Sequence, residues 1–146
     1  MKRHATAIWK GALKDGTGTI DTQSGALQNH GYSFKARFED ESGKSGTNPE
    51  ELLAAAHAGC FAMQLSAMLA DNGTPADKLD AKAVVTVEPK DGGGFKITSS
   101  AITLVGKVPG ASEADFKATA SKAKETCPLS VALGAIDISL DASLEA

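Results

Sequence analysis

The two cysteines in this chain of 146 residues, Cys60 and Cys127, have side chains able to carry thiol redox chemistry. Cys60 lies inside an apolar helical run, residues 47–61, TNPEELLAAAHAGCF. Cys127 follows a second helical run and is stopped at once by Pro128, in TCPLS at residues 126–130. One thiol on a rigid helix and one at a helix end can serve as an attacking and a resolving sulfur. The attacking sulfur must be a thiolate, and a free thiol ionises only near about pH 8.5, so a neighbouring cation is needed at neutral pH. His57, one turn from Cys60, is one candidate. Arg37 is another, always charged and able to donate bidentately. Gly59 leaves room beside the thiol for a backbone or a small substrate. Each residue also has a plainer reading. Cys60 can be a small core hydrophobe, His57 a hydrogen-bonded packing residue, Arg37 a solvated strand arginine, and Glu50 a complement to the helix dipole. If the sulfurs meet, the chain is a thiol enzyme; if they do not, it is an ordinary domain with two buried cysteines.

The elements that must position these residues read as follows. Residues 6–10 and 18–22 are short strands separated by a Lys14–Thr17 turn, and residues 32–38 alternate like a half-buried strand, giving an N-terminal β-meander. Residues 39–46 form a polar loop. Thr47 or Asn48 caps a helix, Pro49 suits its first position, and Glu50 and Glu51 complement its dipole. Asp71-Asn-Gly73 ends it, which predicts a helix over 49–70. Glu50, Leu53, His57, Cys60, Phe61, Gln64 and Met68 share one stripe of this helix. It is apolar around most of its circumference and is expected to be central and buried. Residues 79–87 and 95–105 form a β-hairpin across Pro89–Gly94. Ser112 caps a second helix over 113–126 with Phe116, Ala120 and Ala123 on one face, residues 129–133 make a short extra turn, and residues 136–140 close the chain as a strand. The order βββ-α-ββ-α-β is an α+β pattern.

The length suits a single domain over residues 1–146. Net charge is −3 and the basic residues are scattered, which points away from nucleic acid and anionic membranes. The apolar runs look too short to span a bilayer. The basic N-terminus has no hydrophobic segment behind it, so a cytoplasmic protein is expected, with its cysteines free or in a disulfide that forms and breaks. Aromatics are 5% of the chain, so the core is built from small and aliphatic residues. No CxxC or HExxH spacing supports a metal, and the Gly92–Gly94 run lacks the Lys of a phosphate loop.

Spacing adds a constraint. Glu50 and Cys60 are ten residues apart on one helix, which is about 15 Å along its axis. If both serve one site, a second copy must bring its helix start to the first copy's Cys60, which fits an intertwined symmetric dimer.

The joint pattern of GTNPEEL at 46–52, AAHAGCF at 55–61 and CPLS at 127–130 resembles the osmotically inducible protein C (OsmC) and organic hydroperoxide resistance family. WKG at 9–11, GTI at 18–20 and RFE at 37–39 extend the likeness almost end to end. His57, the RFE segment and CPLS point to the OsmC branch, while the loop from Asp40 to Ser45 is slightly longer than that branch's pattern. The resemblance implies an OsmC-like α+β homodimer with active sites at the subunit interface. It implies a cysteine-based peroxidase with no metal, haem or other cofactor. It makes Cys60 the peroxidatic thiol and Cys127 the resolving one. Arg37 would stabilise the Cys60 thiolate and Glu50 would hold Arg37. Organic hydroperoxides would be the substrates and a lipoyl-type dithiol the reductant. Two other readings stay open: a redox-sensing or stress-associated binding protein using the same thiols without efficient turnover, and a structural domain with inert cysteines.

Overall fold

The computed structural model describes residues 1–145 and orders them as three strands, two helices, two strands, two helices and a last strand. The strands are β1 (Ala5–Lys10), β2 (Thr17–Thr22), β3 (His30–Ser33), β4 (Lys78–Pro89), β5 (Phe95–Lys107) and β6 (Asp137–Leu144). The helices are α1 (Phe34–Phe38), α2 (Pro49–Asp71), α3 (Glu113–Thr126) and α4 (Pro128–Ala132). The chain divides into two compact units, Met1–Leu52 and Leu53–Ala146.

In the first unit, β1, β2 and β3 form an antiparallel meander in that order. The strand expected over 32–38 breaks after Ser33. The Ser33 hydroxyl accepts from the Ala36 N–H at 3.0 Å and caps α1. The alternation of aromatic and charged residues also fits a helical turn, because Phe34 and Phe38 are four residues apart and their rings meet at 5.0 Å. Asp40 then organises the loop behind α1, accepting from the backbone N–H groups of Ser42, Lys44 and Ser45 at 2.8–3.0 Å. The Asn48 side chain accepts from Glu51 N–H at 2.8 Å and so caps α2.

In the second unit, β4 and β5 are an antiparallel hairpin and β6 joins β5 in parallel. The parallel pairing requires a long crossover, which α3 and α4 supply. Gly92, Gly93 and Gly94 all take positive φ at the hairpin tip, where other residues would be strained. Along β5 burial alternates, so Ser100, Ile102, Leu104 and Gly106 face inward. From α2, Phe61, Leu65 and Leu69 recur every four residues and join Ile102, Leu104, Phe116, Ala120, Ala123 and Cys127 in one buried cluster. A Cβ at Gly106 would collide with the Phe116 ring, so that glycine is what lets α3 lie against the sheet.

Two expectations for α2 are corrected. By length and composition alone it is sufficient to cross a membrane. Its buried ridge nevertheless packs it into this core. It is also buried on one side only, since Ala55, Ala56, Gly59, Met63 and Ala67 are exposed. Those residues are apolar but mostly small, so apolar character around the circumference does not require neighbours all round.

Removing the Phe116 ring leaves a cavity over Gly106, and Phe116→Ala is expected to lower unfolding free energy by about 3–5 kcal/mol in urea titration. A loss under about 1 kcal/mol would contradict this packing.

Candidate functional site

Cys127 sits where two helices are forced apart. Its N–H still bonds Ala123 O at 2.8 Å as the end of α3, while Pro128 holds its own backbone extended (ψ 126°) and starts α4. The side chain is completely buried. Cys60 projects half-buried from α2, and the two sulfurs are 3.1 Å apart, unbonded. The spacing permits one hydrogen bond between them, or a disulfide after a small approach.

The two sulfurs are not equivalent. Burial pushes the Cys60 thiol up, and the hydrogen bond and charge of Cys127 add to this, opposed only by the Leu129 N–H. Burial pushes Cys127 up as well, yet hydrogen bonding from the Ser130 backbone, Cys60, the Leu129 backbone and the Ser130 side chain outweighs it, so the net shift is downward from the ordinary thiol value. Within one chain Cys127 therefore gives up its proton more readily than Cys60.

His57 is not the cation beside Cys60 that its spacing suggested. It is fully buried, with Nδ1 2.7 Å from Ser100 Oγ and Nε2 2.8 Å from Ser130 Oγ. Burial lowers its pKa, so at neutral pH the ring is uncharged. Ser100 and Ser130 went unread in the sequence. Ser100 had a signal, a hydroxyl at an inward position of an otherwise apolar alternating strand. Ser130 lay in plain view within CPLS, three residues from Cys127.

Arg37 and Glu50 are brought together inside the first unit. Arg37 Nε and Nη2 donate to the two Glu50 carboxylate oxygens at 3.1 and 2.7 Å. The Glu50 side chain is 9% exposed and that of Arg37 34%, so the acid anchors the base. The guanidinium also lies 4.7 Å from the Phe38 ring centroid. It borders an aromatic pocket of about 280 Å³ with Trp9, Leu13, Tyr32, Phe34 and Pro49. The structure thus assembles the four expected residues as two pairs, one in each compact unit. Among the described residues, no group of three or more His, Cys, Asp or Glu could hold a metal ion.

Two unbonded sulfurs in contact on an α+β frame define a dithiol site. The sequence pattern described as OsmC-like protein matches residues 41–141. Peroxiredoxin OsmC of Escherichia coli (strain K12) is 44% identical over 145 residues, covering 99% of this chain and 98% of that protein. The organic hydroperoxide resistance protein of Xanthomonas axonopodis pv. citri is 36% identical over 104 residues, 67% of this chain and 68% of that protein. The crystal structure of organic hydroperoxide resistance protein OhrB of Bacillus subtilis superposes with a TM-score of 0.70 at 27% identity, covering 96% of this chain and 98% of that one. The chain belongs to the OsmC-like family. Its enzyme class is accordingly that of a peroxidase.

The buried neutral His57 sets a pH dependence. Its folded pKa is depressed, so its contribution to stability is whole above the unfolded value of about 6.5 and is lost as pH falls below it. The slope is up to about 1.4 kcal/mol per pH unit. Thermal melts between about pH 7.5 and 5.5 are expected to show a larger fall for the wild type than for His57→Gln; equal falls would contradict a buried neutral ring.

Proposed function

We propose that the chain is a cytoplasmic, homodimeric hydroperoxide reductase in which Cys60 attacks the peroxide and Cys127 resolves the product. The observation that carries this reading is the 3.1 Å separation of the two free sulfurs. Free thiols suit a reducing compartment. The Cys60 thiolate attacks the distal oxygen of ROOH; an S–O bond forms, the O–O bond breaks, and the alkoxide leaves as ROH after taking a proton. Cys60 is thereby oxidised by two electrons to the sulfenic acid. The Cys127 thiolate then attacks the Cys60 sulfur; S–S forms, S–O breaks, and hydroxide leaves as water once protonated. A dithiol, of lipoyl type by family resemblance, exchanges with the disulfide and restores both thiols.

Burial pushes the Cys60 thiol up within one chain, so the first step needs a cation from elsewhere. The Arg37–Glu50 pair is suited to supply it from a second copy, because its carboxylate fixes the guanidinium while leaving it a third exposed. The apolar face of α2 at Ala55, Gly59 and Met63 is open in the single chain and supports a partner there. Organic hydroperoxides, named in the organic hydroperoxide resistance proteins, are the substrate class, and the aromatic pocket beside Arg37 suits an alkyl or aryl group.

The raised Cys60 pKa also favours a second reading, a redox sensor that oxidises once and stalls. Steady-state peroxide consumption with a dithiol reductant separates the two, since only an enzyme turns over many times.

Cys60→Ser is expected to abolish peroxide consumption. Cys127→Ser is expected to give one turnover, followed by sulfinic or sulfonic acid at Cys60 on mass spectrometry. Arg37→Ala is expected to lower kcat/KM by about 100-fold or more, the scale of losing one positioned donor to developing charge. Multi-turnover activity in Cys60→Ser would end the proposal.

A further inference from the structure

His57 ties together the two stretches of chain that carry the sulfurs, and the peroxidase reading above makes no use of it. Its Nε2 is 2.8 Å from Ser130 Oγ on α4, and its Nδ1 is 2.7 Å from Ser100 Oγ on β5. His57 and Ser100 are fully buried and Ser130 is 5% exposed. His57 precedes Cys60 by three residues on α2, and Ser130 follows Cys127 by three residues along α4. The His57–Ser130 contact and the 3.1 Å sulfur contact are therefore adjacent rungs between the same two stretches, about one helical turn apart. Beyond the sulfurs, Gln64 Nε2 reaches Thr126 Oγ1 at 3.4 Å, a long contact open to water that adds little.

α4 needs such a tie. A helix of five residues does not hold itself together. Cys127 stands at its N-cap position, yet the side chain makes no cap bond and is turned to Cys60 instead. Leu129, partly buried against the core, gives α4 an apolar hold, but such a hold has no direction. A hydrogen bond to a fixed ring has one, and Ser100 fixes this ring from the sheet. Closing the disulfide brings the sulfurs from 3.1 Å to about 2.05 Å. A loose α4 would lose its freedom in that step; one already held at Ser130 has little left to lose.

We infer that the His57–Ser130 hydrogen bond sets the stability of the Cys60–Cys127 disulfide, and with it the reduction potential of the couple, by holding α4 against α2 one turn from the sulfurs. His57 is thus a positioning residue; it touches neither peroxide nor sulfur in this role. The inference rests on the peroxidase reading only in taking the two sulfurs as a redox couple. The coupling is reciprocal: the hydrogen bond favours the disulfide by the same factor as the disulfide favours the hydrogen bond. The tie therefore governs how strong a reductant the dithiol must be to restore both thiols.

Equilibration of the full-length protein with mixtures of oxidised and reduced dithiothreitol tests this. The protein loses two hydrogens as its S–S bond forms, and the cyclic disulfide of dithiothreitol gains them as its own S–S bond breaks. Acid quenching, alkylation and mass spectrometry give the oxidised fraction. Ser130→Ala is expected to lower the equilibrium constant for the disulfide by about tenfold, the scale of one lost hydrogen bond, which raises the potential of a two-electron couple by about 30 mV. Ser100→Ala removes a contact of the same ring but leaves the tie between α2 and α4, and is expected to shift the constant by less than about threefold. A general loss of stability weakens both redox forms alike and leaves the potential where it was. A shift below about threefold in folded Ser130→Ala, or one as large in Ser100→Ala, overturns the inference. Should Ser130→Ala not fold, His57→Asn decides in its place, since its shorter amide can reach Ser100 and falls short of Ser130; the same tenfold fall is expected. A wild type that forms no Cys60–Cys127 disulfide at any ratio sinks the peroxidase reading as well, whereas normal wild-type closure with an unmoved potential in the variant sinks only the tie.

Discussion

The contact between the Cys60 and Cys127 sulfurs is the constraint on which the rest of this molecule depends. It joins residues 67 positions apart. Three local devices hold it. The four-residue ridge of Phe61, Leu65 and Leu69 docks α2, which fixes the direction in which Cys60 projects. Gly106 admits the Phe116 ring and so sets the height of α3 above the sheet. Pro128 ends α3 at Thr126 and leaves Cys127 as the pivot between two helices. A shift of a few ångströms in any of these would part the sulfurs beyond disulfide reach.

Electrostatics then divides the labour. Burial resists ionisation of both thiols, but hydrogen bonding offsets it at Cys127 and not at Cys60. The proposed attacking sulfur therefore depends on charge imported from outside its own unit. The Arg37–Glu50 pair is built to be lent in this way. A nearly buried carboxylate holds the guanidinium bidentately, so little side-chain freedom is left to lose when it engages a ligand. In the proposed mechanism, activity is coupled to assembly of two copies.

Much of the frame was legible in the sequence because its signals are local. The cap and proline at 48–49, the Asn72-Gly73 stop and the Gly92–Gly94 tip each act within a few residues, and the corresponding elements lie where those signals place them. The segment 32–38 misled because period-two alternation and four-residue spacing of aromatics coincide over so short a stretch, and the Ser33 cap decided between them. The apolar circumference of α2 misled in the opposite direction, since alanine and glycine lower polarity without demanding contact. Of the site, the thiols, Arg37 and Glu50 were readable as residue types able to do this chemistry. The fate of His57 was not, because its partners Ser100 and Ser130 lie 43 and 73 residues away and meet it only through the tertiary fold. Sequence spacing suggested a cation next to Cys60; burial made the ring neutral, and its two nitrogens face Ser100 and Ser130.

The central claim is that these two sulfurs form a redox couple. Intact-mass and peptide mass spectrometry of the reduced wild-type protein, after one equivalent of cumene hydroperoxide, tests it most directly. The account predicts loss of two hydrogens per chain and a single linked peptide pair joining Cys60 to Cys127 within the same chain. Two cysteines still open to alkylation, or a stable oxygen adduct on Cys60 with Cys127 free, would contradict it.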